Sequence, residues 1–143
     1  MLLRTHIAKT LLGLLFGAAI LLAVAPLNAA EDSGVRELQT AGLAKFGEPA
    51  APKSPVVIKT REELEKLITD KPTVDAILKE VDLDKEWLGF FRWNGSGQDR
   101  LVAKLGEPEN GLRKVAFEYT MGRTRDLRQH AKLFAVSREI SAP

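Results

Sequence analysis

The chain has 143 residues, 28% of them charged and 45% hydrophobic, the makeup of one ordinary globular domain and too short for two of usual size. Its formal charge of +2 resides in Arg4 and Lys9, ahead of an uncharged run; the rest of the chain carries 19 bases and 19 acids. The pI of about 9.0 is therefore not a nucleic-acid footprint, because counterion-release binding needs a domain-wide excess of positive charge.

Arg4, His6 and Lys9, an apolar centre over residues 11–25 and a small-residue end after Pro26 match the three parts of a secretory signal peptide over residues 1–30, with cleavage after Ala29 or Ala30. The apolar centre is about 22 Å long as a helix, short of the roughly 30 Å hydrocarbon core. The competing reading is an uncleaved anchor, since the 21 uncharged residues over 10–30 can span a bilayer if their polar end is tolerated. The chain has no cysteine, so neither a thiol-linked lipid nor a disulfide holds it. The expected localisation is exported, periplasmic or secreted.

Residues 31–46 carry one short apolar pattern, Val35, Leu38, Leu43 and Phe46, enough for a marginal helix. Residues 47–55 hold three prolines, which predict an extended linker. Compact structure is expected over 56–140. Val56-Val-Ile-Lys59 reads as a short strand, and Thr60 with Glu63 forms a capping box that opens a helix with Leu64, Leu67 and Ile68 as its buried stripe. Asp70-Lys-Pro72 stops it, and Val74, Ile77, Leu78 and Val81 space a second helix ending near Asp82.

From Glu86 the period becomes strand-like. Trp87-Leu-Gly-Phe-Phe-Arg-Trp93, with Gly89 as a bulge, is expected to turn at Asn94-Gly-Ser-Gly-Gln98 and return over 100–105 as a hairpin. Pro108-Glu-Asn-Gly111 marks a second turn, after which Val115, Phe117 and Tyr119 alternate with Lys114, Glu118 and Thr120. A loop over 121–130 leads to a last strand over 131–137. The expected fold is α+β: one or two N-terminal helices packed on an antiparallel β-meander of about four to five strands.

One histidine, His130, remains beyond the leader, so a zinc or copper site of several imidazoles or thiolates is not expected. Asp82-Leu-Asp84-Lys-Glu86 resembles the start of a calcium loop, but Trp87 stands at the glycine position and Trp93 at the terminal glutamate position; it reads as a turn. Ser96, Asp99 and His130 supply the residue types of a hydrolase triad, yet Gly95-Ser96-Gly97 is not the Gly-x-Ser-x-Gly elbow and no strand-to-helix turn surrounds it. No catalytic residue, metal or cofactor is assigned.

Charge is the sharper signal. Residues 31–91 carry nine bases and 13 acids, residues 92–143 ten bases and six acids. Arg123, Arg125 and Arg128 stand within eight residues of His130, on a loop opened by Gly122 and containing one acid, Asp126. Guanidinium forks there fit a carboxylate or phosphate. The alternative is internal: Asp126 ties the loop backbone and one arginine, and the others meet the acidic helices. Trp93, beside Asn94 and Ser96, is expected as an exposed aromatic for stacking, whereas Trp87, Phe90 and Phe91 belong to the core. The candidate binding set is Trp93, Asn94, Ser96, Arg123, Arg125, Arg128 and His130.

Val57-Ile58-Lys59-Thr60-Arg-Glu-Glu-Leu64, then Val81-Asp82-Leu-Asp-Lys85-Glu86-Trp-Leu88, a glycine-containing hairpin and a closing Leu-Phe-Ala-Val strand resemble the small C-terminal domain of PrcB-like protease-complex proteins, over residues 56–138. The hairpin carries Asn94-Gly-Ser-Gly-Gln98 in place of adjacent glycines, and Gly122-Arg-Thr-Arg-Asp126 has no counterpart there. The resemblance implies a non-enzymatic exported domain that binds or stabilises another protein, and it supplies no catalytic residue. Expected partners are another envelope protein or an anionic ligand, with no nucleic acid, and a membrane only through an uncleaved leader. The alternatives are a small secreted hydrolase using Ser96 or His130 and a membrane-tethered structural protein of the envelope.

Overall fold

The computed structural model describes residues 34–143; the expected leader over 1–30 lies outside them. Seven strands and two helices form a mixed α+β fold in layers. A four-stranded antiparallel sheet has the order β1 (Val35–Leu38), β6 (Leu127–Ser137), β3 (Glu86–Ser96), β2 (Val56–Ile58). A second sheet has the order β4 (Arg100–Leu105), β5 (Arg113–Thr120), β7 (Ile140–Ser141), with β7 parallel to β5.

The helices α1 (Arg61–Leu67) and α2 (Lys71–Glu80) cover one face of the first sheet. Leu64, Ile68, Val74 and Ile77 pack there on Leu88 and Phe90 of β3 and Leu133 and Ala135 of β6. The second sheet covers the other face, where Trp87, Phe91, Trp93, Phe134 and Val136 meet Leu101, Val115 and Ile140. Strand β3 is thus buried on both sides, which explains its unbroken apolar run.

Local signals become local structure where no distant partner intervenes. The Thr60 Oγ1 accepts from the Glu63 amide at 3.2 Å, and the Glu63 carboxylate accepts from the Thr60 amide at 3.2 Å, so the capping box forms as its spacing predicts. Thr60→Ala is expected to cost about 1 kcal/mol in chemical denaturation, and an unchanged midpoint would contradict that role. Asp70 caps α2 through the Thr73 amide. Asn110 and Gly111, at φ 53° and 78°, make the tight turn between β4 and β5.

Tertiary partners redirect several predicted elements. Within the segment expected as a marginal helix, residues 35–38 instead pair with β6, and residues 43–45 make one 3-10 turn. Leu38, Leu43 and Phe46 enter the helix-side core. Residues 47–55 are docked: the Ala50 amide donates to the Arg92 carbonyl at 2.8 Å, and the Arg92 guanidinium donates to the Gly47 carbonyl. The sequence predicts one meander of four to five strands, whereas the strands divide between two sheets. Gly89 is no bulge, because the β3–β6 register runs unbroken past it. It faces the second sheet, where an added Cβ would lie 3.3 Å from Trp87 and 3.5 Å from Phe117.

The expected hairpin between residues 87–93 and 100–105 does not form. Asn94, Gly95 and Ser96 continue β3 because Gln129, Arg128 and Leu127 lie opposite and supply ladder partners. The chain then turns at Gly97 and Gln98 and crosses to the second sheet, where β4 pairs with β5. For the same reason the last strand starts at Leu127, four residues before the sequence places it.

Candidate functional site

The crossing at residues 97–99 and the loop over 121–126 lie side by side at one end of the sandwich, and three short polar side chains tie them together. Ser96 Oγ accepts from the Thr124 amide at 3.1 Å and the Gln98 amide at 3.3 Å, and lies 2.6 Å from the Thr124 hydroxyl. Asp99 Oδ2 accepts from the Tyr119 hydroxyl at 2.7 Å and the Trp93 indole N–H at 3.1 Å; its Oδ1 accepts from the Gly122 amide at 2.7 Å. Asp126 accepts from the Gly97 amide at 3.1 Å and from Arg128 Nε at 2.5 Å.

Two glycines make room for this arrangement. A Cβ on Gly95 would collide with the Asp99 carboxylate, and one on Gly122 would sit 2.5 Å from Ser96 Oγ and 2.6 Å from the Gln98 carbonyl carbon. The fit of the loops therefore depends on backbone passing where a side chain has no space.

Electrostatics follow the geometry. Burial opposes ionisation of Asp99, but the Gly122 amide, the Tyr119 hydroxyl and the Trp93 N–H, with a smaller electrostatic contribution from His130, outweigh it and hold the carboxyl below its ordinary 3.8. The same bond raises the Tyr119 hydroxyl above its ordinary 10.0. Hydrogen bonds from Thr124, the Gly97 amide and Arg128 bring Asp126 down to about 2. A lowered carboxyl contributes stability above the unfolded value, and that contribution is lost as pH falls through the folded one. The Gly97 amide signal, whose acceptor is Asp126, is expected to titrate with a midpoint near pH 2 in NMR, and the Asp126→Asn protein is expected to lose that step; a midpoint near 3.8 would contradict these bonds.

Of the predicted site residues, Trp93, Ser96 and His130 come together here, Arg123, Arg125 and Arg128 stand on or beside the loop, and one expectation is corrected. Trp93 is not an exposed stacking surface: it is 2% accessible, because β3 continues past it and the second sheet closes over it. His130, opposite it in the ladder, stacks on its ring at 4.8 Å between centroids and 11° between planes. Tyr119 meets the Trp93 ring edge-on at 6.2 Å. Asn94 lies exposed on β3 opposite Gln129.

The residue types of a hydrolase triad are close together but not in catalytic relation. His130 Nε2 lies 2.8 Å from the Ser96 carbonyl oxygen, which only accepts, so Nε2–H donates to that carbonyl, while the Ser96 hydroxyl is engaged by Thr124 and Gln98 and makes no bond to His130. Among the described residues no group of three or more His, Cys, Asp or Glu side chains is placed to hold a metal ion. Asp82 to Glu86 forms a turn in which Asp82 accepts from the Asp84 amide at 3.0 Å and Glu86 pairs with Arg36.

The arginines divide into two groups. Arg128 is tied to Asp126, as the internal reading expects. Arg123 and Arg125 are exposed, and neither makes a hydrogen bond or ion pair with any described residue. They do not meet the acidic helices; the acidic and basic parts of the chain meet where β3 pairs with β6, and Lys132 of β6 pairs with Glu37 of the neighbouring β1 at 2.7 Å. Arg123 lines an open cleft of about 560 Å³ with Arg100, Met121 and Gln98.

Sequence reasoning missed Asp99 as the central tie, together with Tyr119, Thr124 and the exposed Met121 and Leu127. The available signal was the pair of apolar residues standing alone in an arginine-rich loop. No protein-family model matches this chain, and neither a curated protein nor a solved structure matches it. Among the described residues no helix is long and apolar enough to cross a membrane.

Proposed function

We propose that the protein is an exported, non-enzymatic binding module of the cell envelope, which holds a carboxylate or phosphate group of its partner with Arg123 and Arg125 and stabilises that partner by doing so. The observation that carries this reading is the pair of exposed guanidinium groups, without partners among the described residues, on a loop whose base is pinned by Ser96, Asp99 and Asp126. A pinned loop loses little freedom on binding, so more of each charge-assisted bond appears as affinity. The engaged Ser96 hydroxyl and the orientation of His130 favour binding over hydrolysis. The N-terminal leader pattern supports export, and the resemblance to PrcB-like domains points to a partner-stabilising role.

Photo-cross-linking from position 121 in the producing cells tests this reading. One dominant adduct is expected, and Arg123→Glu with Arg125→Glu is expected to reduce it by more than about tenfold. An adduct indifferent to both arginines would overturn the assignment of the loop.

A further inference from the structure

The loop presents more than charge. Leu127 is 81% exposed and Met121 73% exposed, the two highest values among the exposed large hydrophobic residues of the described chain, and they stand on either side of Arg123 and Arg125. Neither belongs to a hydrophobic cluster of the fold. Single exposed apolar side chains are ordinary, but here two flank in sequence one short loop whose Arg123 and Arg125 have no partner among the described residues, which gives that loop an amphipathic makeup. Arg100 joins Met121 and Arg123 at the cleft, and Arg128 lies against Gly97. Four bases of this end, Arg100, Arg123, Arg125 and Arg128, outnumber its two acids, Asp99 and Asp126, and both carboxylates are bonded within the fold, to Trp93, Tyr119 and Gly122 and to Gly97 and Arg128.

We infer that this loop docks on an anionic phospholipid surface, with Met121 and Leu127 entering the interface and Arg123 and Arg125 pairing with lipid phosphates. The inference rests on the reading of the loop as an anion-binding surface and assigns the anion to lipid phosphate. Apolar side chains beside guanidinium groups match the interfacial zone of a bilayer, where phosphate lies next to hydrocarbon. A free phosphate would use the arginines and leave Met121 and Leu127 in water.

The absence of cysteine from the chain allows a direct test. An environment-sensitive fluorophore is placed on full-length protein at Leu127→Cys, and for comparison at Glu107→Cys, beyond the opposite end of β4. Emission from position 127 is expected to shift to the blue on phosphatidylglycerol vesicles, to stay unchanged on phosphatidylcholine vesicles, and to return in high salt. Position 107 is expected to stay in water throughout, which separates docking by the loop from attachment through the N-terminus. Arg123→Gln with Arg125→Gln is expected to weaken the response about thirtyfold, at about 1 kcal/mol per base near a charged surface.

No shift at 127, equal shifts at 127 and 107, or the same change on adding inorganic phosphate alone would overturn the inference. If the label stays in water while the cross-linker at position 121 captures a protein in an arginine-dependent manner, the lipid inference falls and the binding-module reading stands. If neither readout responds to the arginines, both fall.

Discussion

Replacing Trp93 by alanine is expected to destabilise the protein by about 4 kcal/mol, the scale of a large aromatic side chain removed from a closed core. Trp93 is 2% accessible and shares its core with Phe91, Leu101 and Val115. Its indole also joins core to loop, with His130 stacked on one face and its N–H donating to Asp99. The loss should therefore appear twice, as a lower denaturation midpoint and as faster amide exchange at Gly122, whose acceptor is the same carboxylate. Trp93→Phe keeps a ring beneath His130 and removes the N–H, so a smaller loss is expected, with the loop effect retained. A Trp93→Ala protein less than about 1 kcal/mol below the parent would mean that the end of β3 is open, contrary to the burial described.

Gly122→Ala is expected to cost about 2 kcal/mol, although it adds only a methyl group. The new Cβ would stand 2.6 Å from the Gln98 carbonyl carbon, which is backbone and does not rotate aside, and 2.5 Å from Ser96 Oγ. The loop has to lift, breaking the Gly122 bond to Asp99 and the Thr124 bond to Ser96. Binding through Arg123 and Arg125 is expected to weaken together with stability, although neither arginine is altered. Denaturation together with cross-linking yield from position 121 checks both halves; an unchanged midpoint would show that the two loops do not pack as closely as described.

These sites also show where the sequence was readable. The capping box at Thr60 and Glu63, the α2 stripe and the alternation along β5 depend on neighbours within a few residues, and each appears in the structure as spacing predicts. The fate of Asn94-Gly-Ser96 depends on residues 127–129, more than thirty positions later. Turn propensity was outweighed there by ladder bonds to a distant strand, and the same pairing buried Trp93 and shortened the arginine loop. In residues 31–46, a helical spacing of Val35 and Leu38 served equally well for a four-residue strand, with β6 as its partner.

At the candidate site, composition marks the arginine-rich loop but not which of its arginines is engaged. The excess of arginine over acid is visible in the sequence, but which arginine is free is decided by Asp126 choosing Arg128 and the Gly97 amide. Asp99 offered no pattern of its own: its importance comes from Trp93, Tyr119 and Gly122 converging on one carboxylate from three separate segments. The expected pairing of the two charged halves is limited to contacts such as Lys132 with Glu37, and Arg123 and Arg125 have no partners among the described residues.

The most direct test is arginine side-chain NMR of the full-length protein, following each Nε–Hε signal while inorganic phosphate and then phosphatidylglycerol bicelles are added. Arg123 and Arg125 are expected to move together, while Arg36, Arg92, Arg128 and Arg138, each already bonded within the fold, stay in place. Equal movement of all arginines, or movement confined to those outside the loop, would contradict the account.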